Sequence, residues 1–134
     1  MISRIDQEMN FSQTALDLRA YRQELLASNI ANADTPNYKA RDINFNTSLA
    51  AALGESGAGA LMLAQTAPGH LKATGANRYG AAVKYRREYQ ASVDGNTVNM
   101  DVERAAFAEN ALQMEALITF VRAQFKDLTA AVSP

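Results

Sequence analysis

His70 is the only histidine among 134 residues and there is no cysteine, so imidazole or thiolate chemistry would have to rest on one side chain. A metal centre needs three or four ligands and a general base needs an acid or nucleophile beside it. Neither surrounds Pro68-Gly69-His70, and His70 is expected to be a loop residue. Asp101 with Glu103 is a carboxylate pair, but acids at that spacing suit the positive end of a helix dipole and need no catalytic role. No phosphate-binding loop, dinucleotide fingerprint or nucleophile elbow occurs. Lys84-Tyr85-Arg86-Arg87-Glu88-Tyr89 interleaves bases with aromatics, as a nucleic-acid surface would; alternate placement along a strand accounts for it equally well. Asn46-Thr47-Ser48 matches a glycosylation sequon without a secretory signal to make it meaningful. The expectation is a protein that is not an enzyme and has no cofactor, metal, small-molecule substrate or nucleic-acid partner.

The amides are harder to set aside. Asn29 and Asn32 fall on the helical strip that carries Leu18 and Leu25, and Asn110 stands between Phe107 and Met114. A buried amide left without partners costs about 1–3 kcal/mol, so these should bond to one another or to backbone. As in a coiled coil, a buried Asn can fix register. The alternative places Asn29 and Asn32 at a fraying helix end and Asn110 on the surface.

Two helices must position these groups. Phe11, Leu18, Leu25 and Asn32 recur every seven residues, with Leu16, Ala20, Ala27 and Ile30 as a second strip. Ser3 or Asn10 can cap the start, and Pro36 disfavours helix at Thr35, so the helix should stop near Ala33. Near the other end, Phe107, Met114, Val121 and Leu128 form one heptad series and Ala111, Ile118, Phe125 and Val132 another; with Leu117 they make a broad apolar stripe. Asn99 or Asp101 would cap it.

All seven glycines lie from Gly54 to Gly95. The fold class is therefore mainly α: residues 1–34 and 99–134 as long helices forming one discontinuous, coiled-coil-like antiparallel hairpin, and 35–98 an extended, loop-rich middle with at most a small β element. Tyr38 to Phe45 is expected to be extended, 54–59 a mobile loop, and Lys84 to Val93 a strand leading to a tight turn at Asp94-Gly95-Asn96. Residues 1–34 hold three basic and five acidic side chains, 35–98 seven and four, and 99–134 three and five, an imbalance too small to argue for nucleic acid or a membrane surface. No stretch approaches the roughly 20 apolar residues of a membrane span, and Met1-Ile2-Ser3-Arg4-Ile5-Asp6 lacks the apolar core of a secretory signal. Two wide apolar helix faces with little sheet to cover them call for a partner surface, and self-association supplies it most simply.

These residues resemble a known family. Leu26 to Phe45, which contains N-I-A-N-A-D-T-P-x-Y-K-A-R-D-x-x-F, is similar to the amino-terminal signature of bacterial flagellar basal-body rod proteins, and its T-P-x-Y-K-A-R-D continuation favours a proximal-rod member. Asp94-Gly95-Asn96-Thr97-Val98-Asn99-Met100-Asp101, followed by Glu103 and Phe107-Ala108-Glu109-Asn110-Ala111, resembles the family's second block. Asn37 stands where Gly is commoner, but Asn also tolerates left-handed backbone. The resemblance implies a structural subunit of the periplasmic rod, or drive shaft, exported without a cleaved signal peptide. It also implies as partners copies of itself, other rod proteins, the adaptor joining rod to membrane ring, and the export gate. On this reading Leu18, Leu25, Asn29, Ile30, Asn32, Phe107, Asn110, Met114, Leu117, Ile118, Val121 and Phe125 form the subunit interface, while Pro36, Tyr38 and Gly95 form the turn that leads the chain out of the helical layer.

Overall fold

The computed structural model describes residues 4–54, 81–87 and 92–132. Its elements are α1 (Arg4–Ala31), β1 (Arg41–Ile43), α2 (Phe45–Ala52), β2 (Val83–Tyr85) and α3 (Met100–Val132). The heptad-spaced ends become two long helices of 28 and 33 residues. At about 1.5 Å per residue they are about 42 and 50 Å long. His70, Ser3 and residues 55–59 of the expected loop lie outside the described residues.

α3 returns antiparallel along α1. Glu103 meets Asn29, Asn110 meets the Arg19–Gln23 turn, and farther out Ile5 and Met9 share a cleft of about 260 Å³ with Gln124 and Leu128. The hairpin expected from the two stripes is thus formed. Asn99 caps α3: its Oδ1 accepts from the backbone N–H groups of Asp101 and Val102 at 3.1 and 3.2 Å. Those groups have no partner inside the helix.

α1 ends after Ala31 in successive turns, with Thr35 N–H donating to Asn32 O and Tyr38 N–H to Thr35 O. Exposed Pro36 sits within them, and Asn37 adopts φ 61°. That is the left-handed conformation expected of its side chain. Beyond this bend β1 pairs antiparallel with β2 in the register Arg41↔Tyr85, Asp42↔Lys84 and Ile43↔Val83. The strand expected at 84–93 is accordingly shorter and starts one residue earlier, and residues 88–91 lie outside the described ones.

α2 has no counterpart in the sequence reading. Asn44 starts it by accepting from Thr47 N–H at 3.2 Å, and Gly54 follows it at φ 75°. Eight residues are too few for heptad periodicity to mark a helix, so the cap was the legible signal.

The core forms where α2 and the strands cover α1. Leu18, Leu25, Ile43 and Ala81 are buried there, with Tyr21, Phe45, Leu49 and Val83 packed around them. Leu18 and Leu25, expected at a subunit interface, are instead enclosed by their own chain, because α2 and the strands occupy the side of α1 that a neighbour would otherwise have covered. Leu18→Ala should therefore lower monomer stability by about 2–5 kcal/mol in urea unfolding. Leu112→Ala, at a position 73% exposed, should change it by less than about 0.5 kcal/mol.

Candidate interaction site: a polar clasp and an open helix face

Where the hairpin meets the bend, polar side chains are buried together. Asn29 has no exposed surface. Its Nδ2 donates to Arg41 O at 2.8 Å and Glu103 Oε2 at 3.1 Å, and its Oδ1 accepts from Arg41 N–H at 3.0 Å and Tyr38 OH at 3.3 Å. One amide thus imitates a strand neighbour for Arg41 and holds the start of α3. Ser28 Oγ lies 3.1 Å from Tyr38 OH and extends the link into the bend.

An ionic chain continues from Glu103, which is 1% exposed. Arg86 donates through Nη1 to Glu103 Oε1 at 2.9 Å and through Nη2 to Asp42 Oδ2 at 2.6 Å. Arg22 makes a forked pair with Asp42, Nε to Oδ1 at 3.0 Å and Nη2 to Oδ2 at 3.1 Å. Such planar two-point contacts fix orientation as well as charge. Burial pushes the Asp42 carboxyl up, but the hydrogen bonds from Arg22 and Arg86 outweigh it and hold its pKa below the ordinary carboxylate value. The chain therefore joins α1, β1, the end of β2 and α3 through charges that are each compensated.

The bend itself is fastened from the far end of the sequence. Asn96, buried, donates from Nδ2 to Asn32 O, Ala33 O and Thr35 O at 3.0, 2.7 and 2.9 Å, and accepts from Val98 N–H at 2.8 Å. These carbonyls belong to the turns after α1, and Asn32 O and Thr35 O also accept the N–H groups of Thr35 and Tyr38, so Asn96 reinforces turns already formed. Gly95 is at φ 70°, and a Cβ there would stand 2.6 Å from Asn37 Oδ1, so the two turns interlock. Asn37 N–H donates to Asp94 O and Lys39 Nζ to Gly95 O.

Asn110 repeats the theme one layer along the hairpin. With no exposed surface, it donates to Arg19 O at 2.9 Å and Gln23 Oε1 at 2.6 Å and accepts from Arg19 Nη1 at 3.3 Å. Arg19 also lies over the Phe45 ring, 3.6 Å from its centroid. Asn29 and Asn110 therefore bond to both backbone and side chains within their own chain. Asn32 is half-buried, with its Nδ2 turned back to Ser28 O.

The other expected interface residues lie differently. Ile30, Phe107, Met114, Leu117, Ile118 and Val121 are half-buried, and Phe125 is 50% exposed. α3 buries only Glu103 and Asn110 completely. Leu112, Phe120 and Val132 join Phe125 as large exposed apolar side chains of α3, and Ile5 and Phe11 do so on α1. The sequence reading missed Arg22, Asp42, Arg86 and Asn96. A charged Arg22 inside the strip of Leu18, Leu25 and Asn29 was the one available signal of a buried counter-ion.

Among the described residues no cluster of three or more His, Cys, Asp or Glu could hold a metal ion, and no helix is long and apolar enough to cross a membrane. A family model described as "Flagella basal body rod protein" matches residues 9–39. The chain is 42% identical over 132 residues to the flagellar basal body rod protein FlgB of Proteus mirabilis strain HI4320, covering 97% of this chain and 96% of that one. It is 43% identical to the FlgB of Salmonella typhimurium strain LT2 and 42% identical to that of Escherichia coli K12, each over 130 residues, 96% of this chain and 94% of theirs.

The clasp makes two measurable demands. Asn110→Leu leaves the part-buried Gln23 amide oxygen without its donor and should cost about 1–3 kcal/mol in urea unfolding despite the added apolar area. Asp42, with its folded-state pKa depressed, contributes stability that is complete above its unfolded value of about 4 and is lost as pH falls through the lower folded value. Stability should therefore drop less between about pH 5 and pH 3 in Asp42→Asn than in the unaltered chain.

Proposed function

This chain belongs to the flagellar basal body rod protein family and is a structural subunit of the bacterial flagellar basal-body rod; from that premise we propose that it carries torque across the periplasm. The observation that supports the mechanical reading is the outer half of α3. Residues 111–132 contain no fully buried side chain among those described, yet Leu112, Phe120, Phe125 and Val132 are large, apolar and exposed. Exposed apolar side chains arrayed along one long helix fit an interface.

In the proposed arrangement neighbouring subunits cover α3 from more than one side, Phe125 and Val132 with the outward edges of Met114, Leu117, Ile118 and Val121 on one, and Leu112 and Phe120 on another. Ile30, Asn32 and Phe107 border the contact nearer the bend. Long helices lying along the shaft would share a twisting load over many apolar contacts. The clasp would keep the bend formed by Pro36, Tyr38 and Gly95 from rotating against the hairpin, so that a load entering through the middle segment reaches the helices. Contacts between unlike surfaces that do not close produce an open helical array, the form a shaft requires.

The proposed partners are copies of itself, other rod proteins, the adaptor joining rod to membrane ring, and the export gate. The location is the basal body, proposed to be its periplasmic rod, with export independent of a cleaved signal. The role is structural, without catalysis or a cofactor.

Phe120→Asp tests the packing surface, because a side chain 57% exposed can be changed without opening the core. The variant should keep the helical circular-dichroism spectrum of the unaltered chain and lose at least tenfold in recovery with purified basal bodies. Recovery equal to that of the unaltered chain would refute the proposed packing face.

A further inference from the structure

Near its end α3 presents two unlike flanks. Angles around the helix are measured here from Asn110, which faces α1. At about 100° per residue, Phe125, Arg122 and Lys126 lie at about +60°, about +120° and about +160°. Gln124, Phe120 and Asp127 lie the other way, at about −40°, about −80° and about −100°. Arg122, Lys126 and Asp127 are exposed. Among the described residues none of these three makes a hydrogen bond or ion pair within the chain. Phe125, 50% exposed, stands beside the two cations.

The other flank borders the cleft of about 260 Å³ between the start of α1 and the end of α3. Ile5, Met9 and Leu128 give it apolar walls, and Glu8, Gln124 and Asp127 complete it. Glu8 is paired with Arg4 at 3.7 Å, which leaves Asp127 as the carboxylate without a partner in the chain. The Gln124 amide oxygen is buried without a hydrogen-bond partner, an acceptor that an arriving donor would satisfy. An apolar side chain accompanied by hydrogen-bond donors suits such a cleft, and the clasp uses none of these groups.

We propose that this cleft of one copy receives the Phe125–Arg122 edge of a second copy. The ring fills the space beside Ile5, Met9 and Leu128, while Arg122 and Lys126 supply donors to Gln124 Oε1 and Asp127. This contact rests on the packing reading and names the two surfaces that meet in it. The occupant follows from complementarity: two unpaired cations beside an exposed ring on one flank, and an unpaired carboxylate with an unbonded amide oxygen beside an apolar hollow on the other. On α3 both surfaces fall within about 8 Å of helix axis, so copies aligned along a shaft meet side by side with little stagger. Because the surfaces differ, each copy engages two neighbours and the series stays open.

Arg122→Cys with Asp127→Cys in one chain tests the contact, since the protein has no cysteine of its own. Five residues along a helix put the two positions about 7.5 Å apart in rise alone, beyond the roughly 7 Å that a disulfide spans, so any bridge joins two copies. Mild oxidation of basal bodies containing this variant should give at least tenfold more disulfide-linked multimer of the chain than either single variant gives. If loss of charge keeps the double variant out of basal bodies, Gln124→Cys with Thr129→Cys has the same spacing and retains Arg122, Lys126 and Asp127. No multimer from an incorporated double variant, or as much from a single variant as from the double, overturns the contact. If Phe120→Asp still loses recovery with basal bodies, the packing reading survives that failure. If instead Phe120→Asp is recovered normally while the double variant cross-links, the packing face through Phe120 fails and this contact stands.

Discussion

A buried amide must find partners for both its oxygen and its nitrogen, and that requirement at Asn29 governs much of the structure. Its four partners come from the bend, the first strand segment and the start of α3. Sliding α1 along α3 by one turn, about 5.4 Å, would part Asn29 from Glu103, its partner on α3. Apolar stripes alone tolerate such a slip, because leucines and alanines repeat along them. Asn110 against Arg19 and Gln23 imposes the same condition a second time, so the hairpin has a single register although its apolar surfaces would permit others.

The charged groups extend that control from the helices to the strands. Buried ion pairs are often no better for stability than apolar residues of similar volume, since taking charges out of water offsets their attraction. Their value here is directional. Arg86 reaches both Glu103 and Asp42, while Arg22 forks onto Asp42, so β2 is located relative to both helices by planar contacts rather than by the small apolar core alone. That core is modest, which places much of the fold's specificity in the polar chain.

The long helices and their pairing were legible because heptad spacing over some thirty residues is a strong periodic signal, and the stop near Ala33 followed from Pro36. Left-handed Asn37 and the Asp94–Gly95 turn were legible from residue type. α2 was not, because eight residues leave periodicity little to work on. The ionic chain was hidden for another reason: Arg22, Asp42, Arg86 and Glu103 are far apart in sequence, and each alone has an ordinary surface explanation. Glu103 fits the first turn of a helix, and Arg86 fits a basic run. Only the fold brings them together, and it turns Leu18 and Leu25 inward at the same time.

Gly54 ends α2, and Ala81, fully buried, leads into β2. Leu49 of α2 and Ala81 pack on the same small core, so the chain leaves and re-enters the described fold from anchored points. The described bonds that set the register of the hairpin, from Asn29, Asn96 and Asn110, are all made outside residues 55–80. The sequence between these anchors can therefore change over evolutionary time without redesigning the helices that a subunit packs with.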